Sequence, residues 1–332
     1  MTEVPPTAQR YERFARYEAR GSSDVYEQWG MEISRDPEVL ELIDGLPRDK
    51  RQPNLVLSAA LSQGADAGPY SGFRAFLRAN WDRVREVILS RSTQTNEPRR
   101  CAVLLPVLAR IARDEGRPLA LIEVGASAGL CLYPDRYAYR YDGGRIINDQ
   151  GREDLVLQCR TTGNPPLPQA VPEIIHRTGV DLNPLDPADP DDRAWLDALI
   201  WPGMEDRVSL LRAAASVAAR SPAEIARGDI NAHIAGLVEA APADAAVVVF
   251  HTAVLAYLPE ADREIFRDTM SSYLDIPDRP VHWLSNEGMG VVPGFAEPPR
   301  DTEPGLFVLH HNGTPVARTG PHGQSLDWLG QD

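Results

Sequence analysis

Residues 123–129, E-V-G-A-S-A-G, combine an acid, two glycines and a serine at spacings that allow two chemistries. In the first, G-A-S-A-G is a G-x-S-x-G elbow that presents Ser127 as an acyl-transfer nucleophile, with His322 as base and Asp262 as acid. In the second, Gly125 and Gly129 remove side chains so that a ligand lies against the backbone, and amides after the turn point at it. Ala126 and Ser127 complete that cradle, and Glu123 meets a charged or hydroxylated part of the ligand. The elbow reading requires several strands ahead of it and an HGGG-like segment upstream, and the sequence has neither. The cradle therefore accounts for more of the residues. A nicotinamide fingerprint is not met, because Ser127 and Leu130 stand where its glycines belong, and no G-K-[ST] follows to make a phosphate loop.

Four more groups with useful chemistry end or follow apolar runs: Asp181, Asp229, His251 and Glu287. In an open α/β sheet, ligands sit beyond the carboxyl ends of the strands, near the point where strand order reverses. That rule collects these four with Glu123 at one edge. His251 and Glu287 are the candidate bases. Each residue also has a plain structural role to weigh: Asp181 and Asp229 as helix caps, His251 as a satisfied core histidine, Glu287 as the partner of an arginine. Gln94, Thr95, Asn96 and Glu97 precede a helix, either as its cap and turn or as substrate contacts from a segment folded over the cleft. Arg136 and Tyr137 follow the glycine turn and are candidates to line the same space, with Asp135–Arg136 surface pairing as the alternative. His310 and His311 alternate faces on a strand, and H-E-x-x-H is missing, so no metal is expected.

These residues need elements to position them. Up to about residue 115 the chain reads as helices: 24–34 after a Ser22-Ser23 cap, 37–43 opened by Pro37, 54–63, 72–90, and 97–114 capped by Asn96 with Pro98 at its start. From Pro118 the texture changes. LALIEV (119–124) has the composition of a buried parallel strand, and 173–181, 245–251, 281–285 and 305–310 resemble it. Helical stretches at 191–200, 205–219 and 261–274 lie between them. Alternating strands and helices predict an α/β fold with a mostly parallel, Rossmann-like sheet. Asn312-Gly313 between apolar arms predicts a closing antiparallel hairpin. Residues 131–172 read as an insertion forming a small hairpin or flap, with YAYRYDGGRI turning on Gly143-Gly144. The expected organisation is an N-terminal helical cap, 1–117, and an α/β domain, 118–332.

Composition narrows the functional classes. Across 332 residues the net charge is −14, which disfavours a nucleic-acid backbone as partner. The Arg99-Arg100 pair reads as a solvated helix face. No stretch approaches the ~20 apolar residues of a membrane span, and the N-terminus lacks a secretory core, so a cytoplasmic protein is expected. Three cysteines without C-x-x-C spacing read as free thiols.

LIEVGASAGL resembles the first motif of class I S-adenosylmethionine-dependent methyltransferases, and HRTGVDLNPLD resembles their second, a strand ending in an acid. ARGDI (226–230) is similar to the third motif, and VVVFHTAVLAYLP to the fourth. The resemblance implies S-adenosylmethionine as cofactor, with Glu123 near its methionine part and Asp181, beside Leu182 and Asn183, at the ribose hydroxyls. It implies Asp229 and Ile230 beside the adenine, and Phe250, His251 and Thr252 at the fourth strand's end. Ser127 stands where that pattern carries its middle glycine. Over nearly the whole chain, TQTNEPRR, EVGASAGLCLYPDRYAY, GVDLNPLDPADPDDRAWLDALIWP and VVFHTAVLAYLP together resemble a bacterial family known only as domain of unknown function 2332. The expectation is a methyltransferase-like enzyme acting on a small molecule. The alternatives are a non-catalytic nucleoside or small-molecule binder on the same fold, and a Ser127 hydrolase.

Overall fold

The computed structural model describes residues 6–94, 96–149, 153–274, 276, 279–298 and 305–330. The chain divides into two compact units, Met1–Thr95 with Asp189–Arg212, and Asn96–Ala188 with Ala213–Asp332. The sequence reading divided it at 117, which put the helix at 100–115 with the N-terminal helices and 189–212 with the sheet.

The first unit is helical. It contains α1 (Thr7–Phe14, continued by a π-turn at Ala15–Ala19), α2 (Asp24–Ile33), α3 (Pro37–Asp44), α4 (Pro53–Ser62) and α5 (Tyr70–Ser90). After α6 (Arg100–Glu115), which belongs to the second unit, the first regains α7 (Pro190–Ala198) and the start of α8 (Glu205–Arg220). Local signals set the starts: Ser23 caps α2 by accepting from the Tyr26 N–H, and Asp36 caps α3 by accepting from Glu38 and Val39. The core of the unit is aromatic. Trp29 stacks on Phe73 with ring centroids 4.0 Å apart, and Phe14 meets Trp201 edge-on at 5.5 Å.

The second unit carries the sheet. Its strands are β1 (Leu119–Val124), β2 (Ala138–Tyr141), β3 (Ile146–Ile147), β4 (Val156–Thr162), β5 (Ile174–Asp181), β6 (Glu224–Arg227), β7 (Ala246–Thr252), β8 (Val281–Gly288), β9 (Phe307–His311), β10 (Thr314–Thr319) and β11 (Ser325–Trp328). The helices α9 (Ile230–Ala240) and α10 (Glu260–Leu274) interleave with them. The sheet order is β3-β2-β4-β11-β10-β9-β8-β7-β1-β5-β6. From β6 to β8 every pairing is parallel, and β8 to β11 form an antiparallel meander around the Asn312-Gly313 turn. The protein is therefore α/β with a mixed, mostly parallel sheet. Every residue of β1 and β7 is buried, as a central parallel strand covered on both faces requires.

On one face of β1, β7 and β8 lie Ala120, Ile122, Val124, Val247, Val249, Val281 and Trp283, packed with Ile234, Val238, Phe266 and Met270 from α9 and α10. Order reverses at β1: the chain leaves it for β5 and β6 on one side and returns to β7 and β8 on the other. The carboxyl ends of β1 and β7 therefore flank the switch point of the sheet.

The 131–172 segment takes the hairpin alternative, β2 with β3, and β4 pairs with β2 in parallel and then with β11, so the segment extends the main sheet. Among the described residues, no α-helix directly follows the glycine turn. Leu130–Leu132 makes a single 3-10 turn, because Pro134 disfavours helical geometry at Tyr133, which sits at φ −118° and ψ 40°.

Candidate functional site

The turn after β1 uses three left-handed residues, Gly125, Ser127 and Gly129, at φ 69°, 50° and 66°. At the middle position a serine carries the conformation that a glycine adopts freely, at a cost of about 1–2 kcal/mol. Neighbours hold it there. The Ser127 N–H donates to Asp181 Oδ2 at 2.8 Å, its carbonyl accepts from Leu185 at 3.1 Å, and its Oγ accepts from Asn96 Nδ2 at 2.6 Å. Asn96 Oδ1 in turn accepts from the Ala128 N–H at 3.0 Å.

Asn96 is not the cap of α6, which begins four residues later; it latches the turn. Ala126, Ser127 and Ala128 are buried, and a β-carbon on Gly125 would lie 2.5 Å from Val254 Cγ2. The space that Gly125 leaves is thus filled by the segment that follows β7.

Glu123, the penultimate residue of β1, has its Oε2 buried without a hydrogen-bond partner among the described residues. Burial first, then Cys131, push its carboxyl well above the usual carboxylate range, and Arg100 acts in the opposite direction. The neutral acid is therefore favoured, and its hydroxyl is a donor. Arg100 is buried too, which corrects its reading as a solvated helix face. Its Nη1 donates to the Thr252 carbonyl at 2.9 Å and to Thr252 Oγ1 at 3.2 Å, while Nε donates to the Pro321 carbonyl at 2.9 Å. Beside Thr252 in register is Asn286, whose Oδ1 accepts from Thr319 at 2.7 Å and whose buried Nδ2 has no partner among the described residues. The three thiols are free and buried; Cys131 Sγ contacts the Glu97 carbonyl at 3.5 Å.

At the end of β5, Asp181 also accepts from the Asn183 N–H at 2.7 Å, so its carboxylate holds both its own turn and the glycine turn. Leu182 next to it is 63 % exposed, an apolar surface at the rim. Asp229 caps α9 by accepting from Asn231 and Ala232 at 2.9 and 3.2 Å, and Ile230 points into the core. Phe250 is buried within β7.

His251 and Glu287 meet each other. Nδ1 of His251 lies 2.7 Å from Glu287 Oε1, and its Nε2 accepts from Trp283 Nε1 at 2.9 Å. An acceptor at Nε2 places the proton on Nδ1, where it is donated to the carboxylate. The same Glu287 oxygen accepts from the Val254 and Leu255 N–H groups at 2.9 and 3.0 Å. Both ring nitrogens are thus engaged, His251 is 0 % exposed, and the pair anchors the segment that covers Gly125. Ala253 within that segment is left-handed at φ 56°.

Of the other candidates, Tyr137 is fully buried and donates to the Leu130 carbonyl at 2.6 Å. Arg136 is exposed and pairs with Asp135 at 3.2 Å. Glu97 is buried, and its Oε1 accepts from the Arg99 N–H at 3.2 Å. Gln94 belongs to the first unit, and Thr95 lies outside the described residues. Sequence reasoning missed Arg100, Val254, Asn286 and Thr319. Only Asn286 had a local signal, its place beside Glu287 in S-N-E-G. Among the described residues, no group of three or more His, Cys, Asp or Glu side chains is arranged to hold a metal, and no helix is long and apolar enough to cross a membrane.

The fold and this strand-end cluster define an α/β protein whose polar residues converge at a topological switch point. The chain belongs to the family described as an uncharacterized protein conserved in bacteria, domain of unknown function 2332, whose model matches residues 8–328. Among curated proteins the chain has no match.

Proposed function

We propose that the second unit is a Rossmann-like, class I methyltransferase-type domain that binds an S-adenosyl compound at the β1–β7 switch point and acts on a small molecule. The observation that carries this reading is Asp181, whose carboxylate ends the second parallel strand and bonds the N–H at the centre of the glycine turn. A carboxylate there has the acceptors that a ribose diol requires, since each oxygen takes more than one hydrogen bond. The exposed Leu182 supplies apolar surface beside it, and the buried Glu123 Oε2, without a hydrogen-bond partner among the described residues, supplies a polar end. These residues fit the cofactor's polar and apolar parts.

S-adenosylmethionine would bring an electrophilic methyl group on a sulfonium. The protein's contribution is alignment, together with exclusion of water by the buried turn. Because Val254 lies against Gly125, ligand entry requires the 252–255 segment to shift, and the Glu287 anchor sets the cost of that shift. Thr252 and Arg100 fix the segment's start.

A second reading, a binder without turnover, is favoured by His251. A fully buried imidazole with both nitrogens bonded is a positioning group and not a ready base. The hydrolase reading has no such support, because the group on Ser127 Oγ is the Asn96 amide, which cannot take a proton.

The test is thermal denaturation with millimolar S-adenosylmethionine and S-adenosylhomocysteine. A saturable rise in Tm that Asp181→Ala abolishes supports the reading. No rise with either compound overturns it.

A further inference from the structure

The first unit contains an open cavity of about 580 Å³ that none of the motifs above touches. Arg10 and Arg13 from α1, Glu18 from the π-turn, Arg48 and Asp49 from the turn before α4, and Asn54 in the first turn of α4 line it. Its volume lies within the range of small-molecule sites. In the same stretches Arg16, Arg20 and Arg51 are each paired with a carboxylate, at 2.7, 2.9 and 3.0 Å. The guanidinium groups of Arg10, Arg13 and Arg48 have no hydrogen bond or ion pair with any described residue. All three line the one cavity, Arg13 and Arg48 exposed on its wall, and the charges of Arg10 and Arg13 act on Glu18 across it.

Two polar features of α4 face the same problem of missing partners. Gln52 at its N-cap position makes no side-chain capping bond and Pro53 opens the helix; the Val56 N–H donates to the Gln52 carbonyl at 3.1 Å, which leaves the Asn54 and Leu55 N–H groups without an acceptor inside the helix. Asn54 Oδ1 is buried without a partner among the described residues. Guanidinium groups and a helix N-terminus both favour an oxyanion. A tetrahedral oxyanion accepts from three directions at once, whereas a planar carboxylate engages two. Glu18 and Asp49 on the same walls accept from hydroxyl or amine groups, which a bare inorganic ion lacks.

We infer that this cavity is a binding site for a small phosphorylated organic compound, its phosphate held by Arg10, Arg13 and Arg48 and its hydroxyl or amine groups by Glu18, Asp49 and Asn54.

Inorganic phosphate and pyrophosphate serve as probes on the full chain, with sodium chloride holding ionic strength constant. Expected are saturable broadening of the phosphorus resonance and a Tm rise of several degrees at millimolar probe. Both are weakened at least tenfold in Arg10→Gln/Arg48→Gln and retained in Asp181→Ala. Arg13→Lys keeps the charge and loses the fork, and weakens binding several-fold even if the double variant folds poorly. An equal response in the arginine variants, or no saturable response in the wild-type chain, overturns the assignment. Retention in Asp181→Ala separates this outcome from that of the methyltransferase-type reading.

Discussion

Asn96 and Ser127 hold one another across the start of the second unit: the amide of one donates to the hydroxyl of the other at 2.6 Å, and the same amide's oxygen takes the next N–H. Truncation at Asn96→Ala removes both bonds and leaves a buried N–H without its acceptor. The expected loss is about 1–3 kcal/mol, read from the urea midpoint. Amide exchange at Ala128 rises in parallel.

The middle of the turn separates backbone from side-chain effects. Ser127→Gly relieves the left-handed strain while losing the bond to Asn96, so the two terms offset and stability moves by less than about 1 kcal/mol. Ser127→Val places a β-branched side chain at φ 50° and loses the same bond, and should cost about 2 kcal/mol or more. Equal urea midpoints for the two variants would refute the strain account.

Glu287 anchors three donors through one oxygen. Glu287→Ala strands buried N–H groups and is expected to cost about 3–5 kcal/mol, whereas Glu287→Gln keeps an acceptor and costs less. If His251 positions and does not transfer protons, His251→Asn lowers stability without changing the pH profile of any activity later found. A shifted profile would return it to the candidate bases.

Two buried systems give opposite pH slopes. His311 is held down to about 4 by burial, with His282 and Arg110 reinforcing, and His282 is lowered by burial against the opposing charge of Glu115. Arg110, His311, His282 and Glu115 form a chain at 3.2, 3.0 and 3.1 Å, with Asp114 nearby in charge. Unfolded histidine binds its proton near 6.5, so between 6.5 and 4 the unfolded state holds more protons. Stability is therefore present above pH 6.5 and falls as pH drops towards 4, by roughly 1–2 kcal/mol at pH 5. His311→Asn should flatten that limb of the urea-midpoint profile.

Glu123 works the other way. Its folded pKa is raised by burial, so above the ordinary carboxylate value the folded state holds the extra proton and stability declines as pH rises. Glu123→Gln, neutral and of the same shape, should remove this decline and be the more stable protein at pH 8, by about 1–2 kcal/mol. A variant no more stable than the parent at pH 8 would mean that the carboxyl is satisfied by a group it meets only there. Under the proposed reading, that buried cost is one the binding site retains at the expense of stability.

Much of the architecture was legible because its causes are local. LALIEV reads as a buried parallel strand from its apolar run, Asn312-Gly313 dictates a hairpin, and Ser23 and Pro37 announce the helices they open. The readings that failed depended on distant partners. Nothing near Val156–Thr162 reveals that β11 lies beside it, and Asn96 looks like a cap until Ser127 is brought to it. Arg100 reads as surface because its acceptors, Thr252 and Pro321, lie more than 150 residues away along the chain. The acids of the candidate site were legible as strand ends, but their protein partners were not.

The pairing of β4 with β11 joins residues 165 apart, as between Thr162 and Asp327. On a ribosome adding about 5–20 residues per second, the β2–β4 edge waits roughly 10–30 s for the strand that will cover it. During that interval the nascent chain exposes an unpaired strand edge, and loss of the last dozen residues to early termination would make the exposure permanent.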